Sequence, residues 1–113
     1  MHELALTQSI LDIALEAAAG HKAARVLEIR IKAGALAGVW PEQVREYFGI
    51  LSAGTAARQA RLLIEKLPAV ISCLDCGNLS ETESFIFVCP ACGGNHLRLL
   101  KGREFYVDSL EVE

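Results

Sequence analysis

The stretch CLDCGNLSETESFIFVCPAC, residues 73–92, decides how the rest of the chain is read. It holds two Cys-x-x-Cys turns, Cys73 with Cys76 and Cys89 with Cys92, separated by twelve residues. Each turn aims two thiolates at one ion while neighbouring amides stabilise their charge. Two such turns on a pair of hairpins complete a tetrahedral S₄ shell with Zn–S distances of about 2.3 Å. Gly77 follows the first pair, and Gly93 and Gly94 follow the second, supplying the positive φ that such turns often need. The FIFV segment, residues 85–88, reads as a strand leading into the second turn. Zinc in a closed, structural site is the predicted occupant, because four thiolates leave no open position for water. A redox dithiol, a pair of disulfides and an iron centre are the remaining readings of these residues.

Outward from the cysteines, RLLIEKL (residues 61–67) reads as a strand closed by Pro68, and EFYVDSLEVE (104–113) as a final strand. The cysteine segment therefore interrupts a domain and returns the chain to it. The predicted division is 1–69 with 104–113 for the main domain, and 70–103 for a zinc ribbon. So short an insert cannot bury much of a core, so metal binding supplies most of its folding energy.

The main domain is legible from periodicity. Leu4, Leu11, Ala14, Leu15 and Ala18 recur at helical spacing, with Ile10 and Ile13 widening the stripe. Gly20 is the predicted C-cap, and His21 and Lys22 suit the negative end of the helix. VLEIRIK (26–32) alternates: Leu27, Ile29 and Ile31 face one way, and Glu28, Arg30 and Lys32 the other, as in a half-buried strand. AGALAG (33–38) reads as a loop. Pro41 opens a second helix at its first turn, where a missing N–H costs nothing. Val44, Tyr47, Phe48 and Leu51 give that helix its apolar face, and Gly54 ends it.

With 113 residues, 52% hydrophobic and 22% charged, the composition is that of a small globular chain. The net charge of −3 opposes a nucleic-acid role, which calls for a basic footprint. The segment between the cysteine pairs carries Glu81 and Glu83 and no Lys or Arg; Arg98, Lys101 and Arg103 lie only near its exit. No uncharged apolar run approaches the length of a membrane span. His2 and Glu3 occupy the place of a basic signal-peptide region, so the expected location is cytoplasmic.

Of the three histidines, His21 reads as solvated, and His96 as a surface group or a labile ligand beside the ribbon. His2 differs because the α-amine is its neighbour. The Met1 and His2 nitrogens close a five-membered ring on a metal, and the His2 amide and its Nδ1 close a six-membered one. Three nitrogens then lie near one plane, an arrangement suited to Ni(II) or Cu(II), with Glu3 or another group completing the set. Both titratable nitrogens deprotonate near neutrality, the amine at about 7.7–8.0 and the imidazole at about 6.5.

The order of the whole chain adds to this. MHE opening a first helix, a strand leading into GALAGV, a Pro-Glu helix start, CLDC with CPACG, and a closing SLEVE together resemble the nickel metallochaperones of hydrogenase maturation, the HypA/HybF family. The resemblance spans essentially all of the chain. It implies an α+β fold: a nickel-binding domain with a three-stranded sheet and two helices, and a zinc-ribbon (rubredoxin-like) subdomain inserted before the last strand. It implies nickel ligands at Met1, His2 and Glu3, with His96 as a candidate further ligand, and zinc ligands at Cys73, Cys76, Cys89 and Cys92. The implied role is not enzymatic. It is to bind Ni(II) and deliver it to the [NiFe]-hydrogenase large subunit, working with a nickel-handling GTPase and, in some members, with urease maturation proteins. Ala37 stands where many members carry serine. A monomer or a homodimer is expected, the returning final strand permitting exchange. The rival reading is a zinc-ribbon adaptor for nucleic acid or a protein partner.

Overall fold

A computed structural model describes residues 3–113. The elements run α1 (Glu3–Gly20), β1 (Val26–Gly34), α2 (Pro41–Leu51), β2 (Arg61–Leu67), β3 (Ala69–Cys73), β4 (Leu79–Thr82), β5 (Leu97–Lys101) and β6 (Phe105–Val112). They form two three-stranded sheets, ordered β2-β1-β6 and β4-β3-β5. The fold is therefore α+β, two helices with two small sheets. Among the described residues no helix is long and apolar enough to cross a membrane.

The chain divides into two compact units. The first holds the residues up to Ile31, then Val39–Glu65 and Tyr106–Glu113; the second holds Lys32–Gly38 and Lys66–Phe105. Loop 33–38 thus belongs with the cysteine segment, and its hydrogen bonds give the reason. Gly34 N–H donates to the Glu104 carbonyl at 2.7 Å, Ala35 N–H to Leu67 at 2.8 Å, and Leu36 N–H to Gly102 at 2.7 Å. Ala33 and Gly34 extend β1 beyond the alternating run.

In the first sheet β1 is central. The Arg25 and Glu113 backbones bond at one end of the β1–β6 pair, and Gly34 bonds Glu104 at the other, so the two strands are antiparallel. Arg61 meets Glu28 near the starts of β2 and β1, and Leu67 accepts from Ala35 at their ends, so β2 runs parallel to β1. Parallel neighbours need a crossover, and α2 supplies it. The core of this unit is Ile10, Leu11, Ala14 and Ala18 from α1, Val44 and Phe48 from α2, Val26, Ile29 and Ile31 from β1, and Leu62 from β2. Each large side chain buried there is worth about 1.5–3 kcal/mol relative to exposure.

Several expectations are corrected. Leu4 and Ile13 are exposed, and Thr7 takes a place in the α1 seam instead, its hydroxyl donating to the Glu3 carbonyl at 2.6 Å. Gly20 is not the cap of α1. The helix runs through it, and Lys22 adopts the left-handed conformation at φ 53°. The Ala23 N–H then reaches back to Ala18 and the Lys22 N–H to Ala19, the paired bonds of a Schellman ending. On β1, Glu28 does not face solvent: it is 6% exposed, ion-paired with Arg30 and, at 3.1 Å, with Arg61. Helix α2 ends at Leu51 with Ser52 as its cap; Gly54, at φ 78°, serves the turn beyond. The FIFV segment is not a strand. β4 stops at Thr82, whose hydroxyl both accepts from the Ser84 N–H and donates to the Ser84 carbonyl, closing a local turn. Phe87 beyond it is 81% exposed.

Lys22 offers a test of the α1 ending. A side chain in the left-handed region costs about 1–2 kcal/mol that glycine avoids. Lys22→Gly is expected to stabilise the protein by roughly 1 kcal/mol, a rise in melting temperature readable by calorimetry. A lower melting temperature would contradict the assigned cap.

Candidate metal centre

Both cysteine pairs sit on turns built alike. In the first, the Gly77 N–H donates to the Cys73 carbonyl at 2.9 Å, and the Cys73 N–H to Asn78 at 2.9 Å. In the second, Gly93 donates to Cys89 at 2.8 Å, and Cys89 to Gly94 at 2.7 Å. Gly77 and Gly93 both have positive φ, 78° and 75°, so the sequence reading of these two glycines holds. Gly94 has a different duty. A Cβ there would lie 2.6 Å from the Asp75 carboxylate and 3.2 Å from the Cys92 sulfur, so a side chain at this position would have to displace Asp75 from His96.

The turns bring all four sulfurs within 4.8 Å of one another. Cys73 and Cys92 stand 3.7 Å apart, and so do Cys76 and Cys89. A disulfide bond is about 2.05 Å long, so the cysteines are unbridged and the disulfide reading is set aside. A tetrahedron with metal–sulfur bonds of about 2.3 Å has edges of about 3.8 Å, which these separations match. The donor set and its spacing fit a tetrahedral thiolate ion such as zinc. Cys73 and Cys89 are buried, Cys76 and Cys92 exposed, so the site sits at the surface of the second unit.

Backbone donors and neighbouring sulfurs together set the proton affinities of Cys89 and Cys92. Donation from the Cys92 backbone, and then from the Ala91 amide, draws the Cys89 thiol down to about 7. The Gly94 amide also lowers Cys92, but hydrogen bonding with Cys76 and Cys73 and partial burial prevail and push it up to about 12. Without a cation the sulfurs cannot all carry charge. An ion that binds all four therefore displaces protons, and acidification favours the metal-free form.

His96 lies outside the sulfur group. Its Nδ1 is 3.1 Å from both oxygens of Asp75, and its side chain is 70% exposed. Its carbonyl accepts from the Leu74 N–H at 2.8 Å, tying β5 to the first turn. Asp75 was missed in the sequence; its only signal there is an acidic residue inside CLDC. Glu3 opens α1, and His21 is exposed at that helix's end. The expectations for Met1 and His2 fall outside the described residues.

A small protein of two units, one closed by four convergent thiols, is defined as a metal-binding protein. Comparison with known proteins gives the family. The model described as hydrogenase/urease nickel incorporation, metallochaperone, hypA, matches residues 1–112. The hydrogenase maturation factor HypA of Caldanaerobacter subterraneus subsp. tengcongensis is 40% identical over 114 residues, all of both chains. That of Geobacter sulfurreducens is 37% identical over 113 residues, again all of both. In structure, the Ni metallochaperone HypA from Helicobacter pylori superposes with a TM-score of 0.68 at 20% identity, covering 99% of this chain and 97% of that one. A second HypA solution structure reaches 0.73 at 20% identity, over 100% and 97%. The chain belongs to the HypA family of nickel metallochaperones for hydrogenase and urease nickel incorporation, a maturation family and not one of enzymes.

Substituting Cys73→Ala is expected to abolish stoichiometric metal binding and to open the 69–101 segment to trypsin at Arg98 and Lys101, while helical circular dichroism persists. Metal affinity of the unaltered protein should fall as pH falls, by about tenfold per pH unit for each thiol still protonated. Full metal content in Cys73→Ala, or pH-independent binding, would contradict the four-thiolate site.

Proposed function

We propose that this chain binds Ni(II) at its N-terminus and hands it to the large subunit of a [NiFe]-hydrogenase. The observation that carries the reading is the match to the nickel-incorporation family over residues 1–112, on a chain that opens with Met1, His2 and Glu3. The α-amine of Met1, the amide and Nδ1 of His2, and the Glu3 carboxylate form the donor set. Its nitrogens suit Ni(II) in a planar field. Such a chelate is built at the end of a chain, so the ion can be passed on without unfolding a core. Protonation of the amine and imidazole weakens it and gives release a pH dependence.

The four cysteines hold Zn(II) as a resident structural ion in this reading. Zinc supplies the charge that lets four thiolates stand together, and with it the fold of the ribbon. Transfer uses the N-terminal set and not the cysteines. His96 is the candidate further nickel donor: Asp75 engages its Nδ1, which leaves Nε2 as the electron-pair donor. The partners are a nickel-handling GTPase, the hydrogenase large subunit and, where present, urease maturation proteins. The setting is the cytoplasm.

Untagged protein and a form extended by Gly-Ser ahead of Met1 separate the two metal sites in native mass spectrometry. The extended form is expected to lose stoichiometric Ni(II) and keep zinc, and His2→Ala to do the same with an unchanged melting temperature. Unaltered nickel affinity in the extended form would falsify the terminal chelate.

A further inference from the structure

The sheet of the second unit is ordered β4-β3-β5, so β4 and β5 are its two edges. Its charges are sorted between them. On β3, Val70 is set against Glu81 of β4 on one side and Lys101 of β5 on the other. Glu81 and Glu83 lie on β4 or just beyond it, and Arg98, Lys101 and Arg103 on β5 or just beyond it. These three cations are exposed. None makes an ion pair or a side-chain hydrogen bond among the described residues. The cations of β2, by contrast, are engaged: Arg61 with Glu28 at 3.1 Å and Lys66 with Glu83 at 3.5 Å. In a chain of net charge −3, unpaired cations gathered within 98–103 are a local feature.

β5 also has an unused side. Its backbone pairs with β3, and among the described residues no hydrogen bond reaches 97–101 from the other side. An open strand edge is a template for another extended chain, through N–H and C=O groups that already point outward. The side chains of β5 alternate. Leu97 and Leu99 lie opposite Cys73 and Ile71 of β3, beside a cavity of about 120 Å³ lined also by Ile86 and Phe85. Arg98 and Leu100 take the other face and are exposed. A strand added at this edge meets a cation on one face and an apolar hollow on the other. We propose that β5 accepts an extended segment of a partner protein in which acidic and apolar residues alternate, paired along 97–101.

Cations on an edge strand discourage pairing with an identical edge. Two β5 edges brought together would crowd like charges, which disfavours a symmetric pair of copies. The acidic β4 edge of a second copy would match the charge, but such head-to-tail contacts lead to open chains unless the rotation closes. A nucleic acid would satisfy the cations and leave the strand backbone and the apolar hollow unused; a peptide strand engages all three. Glu104 follows Arg103, but its Oε1 is shut off from solvent and three cations outweigh it. The inference rests on the second unit and does not depend on nickel.

Amide NMR of the full-length, zinc-loaded chain tests the edge, with a soluble peptide of alternating Glu and Val as the probe. Saturable shifts and slowed amide exchange are expected along 97–101, and neither along β4. A peptide with Lys in place of Glu should bind about tenfold more weakly, and so should the original peptide N-methylated throughout, which keeps its charge but cannot pair. Arg98→Glu combined with Lys101→Glu should also weaken binding about tenfold, with zinc content and circular dichroism unchanged. Equal binding of the Lys peptide or of the N-methylated one overturns the proposal. Tighter binding of single-stranded oligothymidylate at the same amides overturns it in favour of nucleic acid. Shifts along 97–101 that grow with protein concentration in the absence of peptide overturn it in favour of a second copy.

Discussion

Four sulfurs held within 4.8 Å of one another are the constraint on which the second unit depends. Thiolates at that spacing repel; backbone donation draws Cys89 down, while Cys92, despite the Gly94 amide, is pushed up by the neighbouring sulfurs and desolvation. A tetrahedral dication resolves both conflicts. The surrounding chain is arranged for it: two turns of the same hydrogen-bond pattern, a glycine at positive φ after each pair, and Gly94 stripped of a side chain where Asp75 and Cys92 converge. The three short strands of this unit bury few large side chains, so an ion bound there would contribute what a core supplies elsewhere.

The first unit depends on burial instead. Its seam joins α1 and α2 to the central strand, with Ile29, Ile31, Val26 and Val44 fully enclosed. Only Pro68 separates β2 of one sheet from β3 of the other. Lacking an N–H, it cannot continue the ladder, and that suits a residue at which the chain leaves one sheet for the next. In a carrier of a labile ion this division has a chemical use. In the function proposed above, a resident metal would be enclosed by four strong ligands, whereas the Met1–Glu3 donors would be weaker and titratable, so that an ion could be exchanged.

Much of this was legible because it is local. The paired Cys-x-x-Cys spacing, the strand at 26–32, the run 61–67 and the Pro41 start each state their structure within a few residues, and these elements form where they were read. The failures are equally specific. FIFV has strong strand propensity, but that propensity is expressed only against a partner strand. Here Thr82 turns the chain away, and residues 85–88 are left without one. Glu28 looked like a solvent-facing charge because its partner Arg61 lies 33 residues away on another strand.

The sequence by itself determined the family, the convergence of four cysteines on one place and most of the order of helices and strands, since these rest on residue type and short-range period. The tertiary structure alone decided that Lys22 and not Gly20 ends α1, that Asp75 faces His96 across the cysteine turns, and that loop 33–38 joins the second unit. Most of these are meetings of groups far apart in the chain, and the helix end is a backbone state that a lysine rarely adopts. Propensity and spacing carry no record of either.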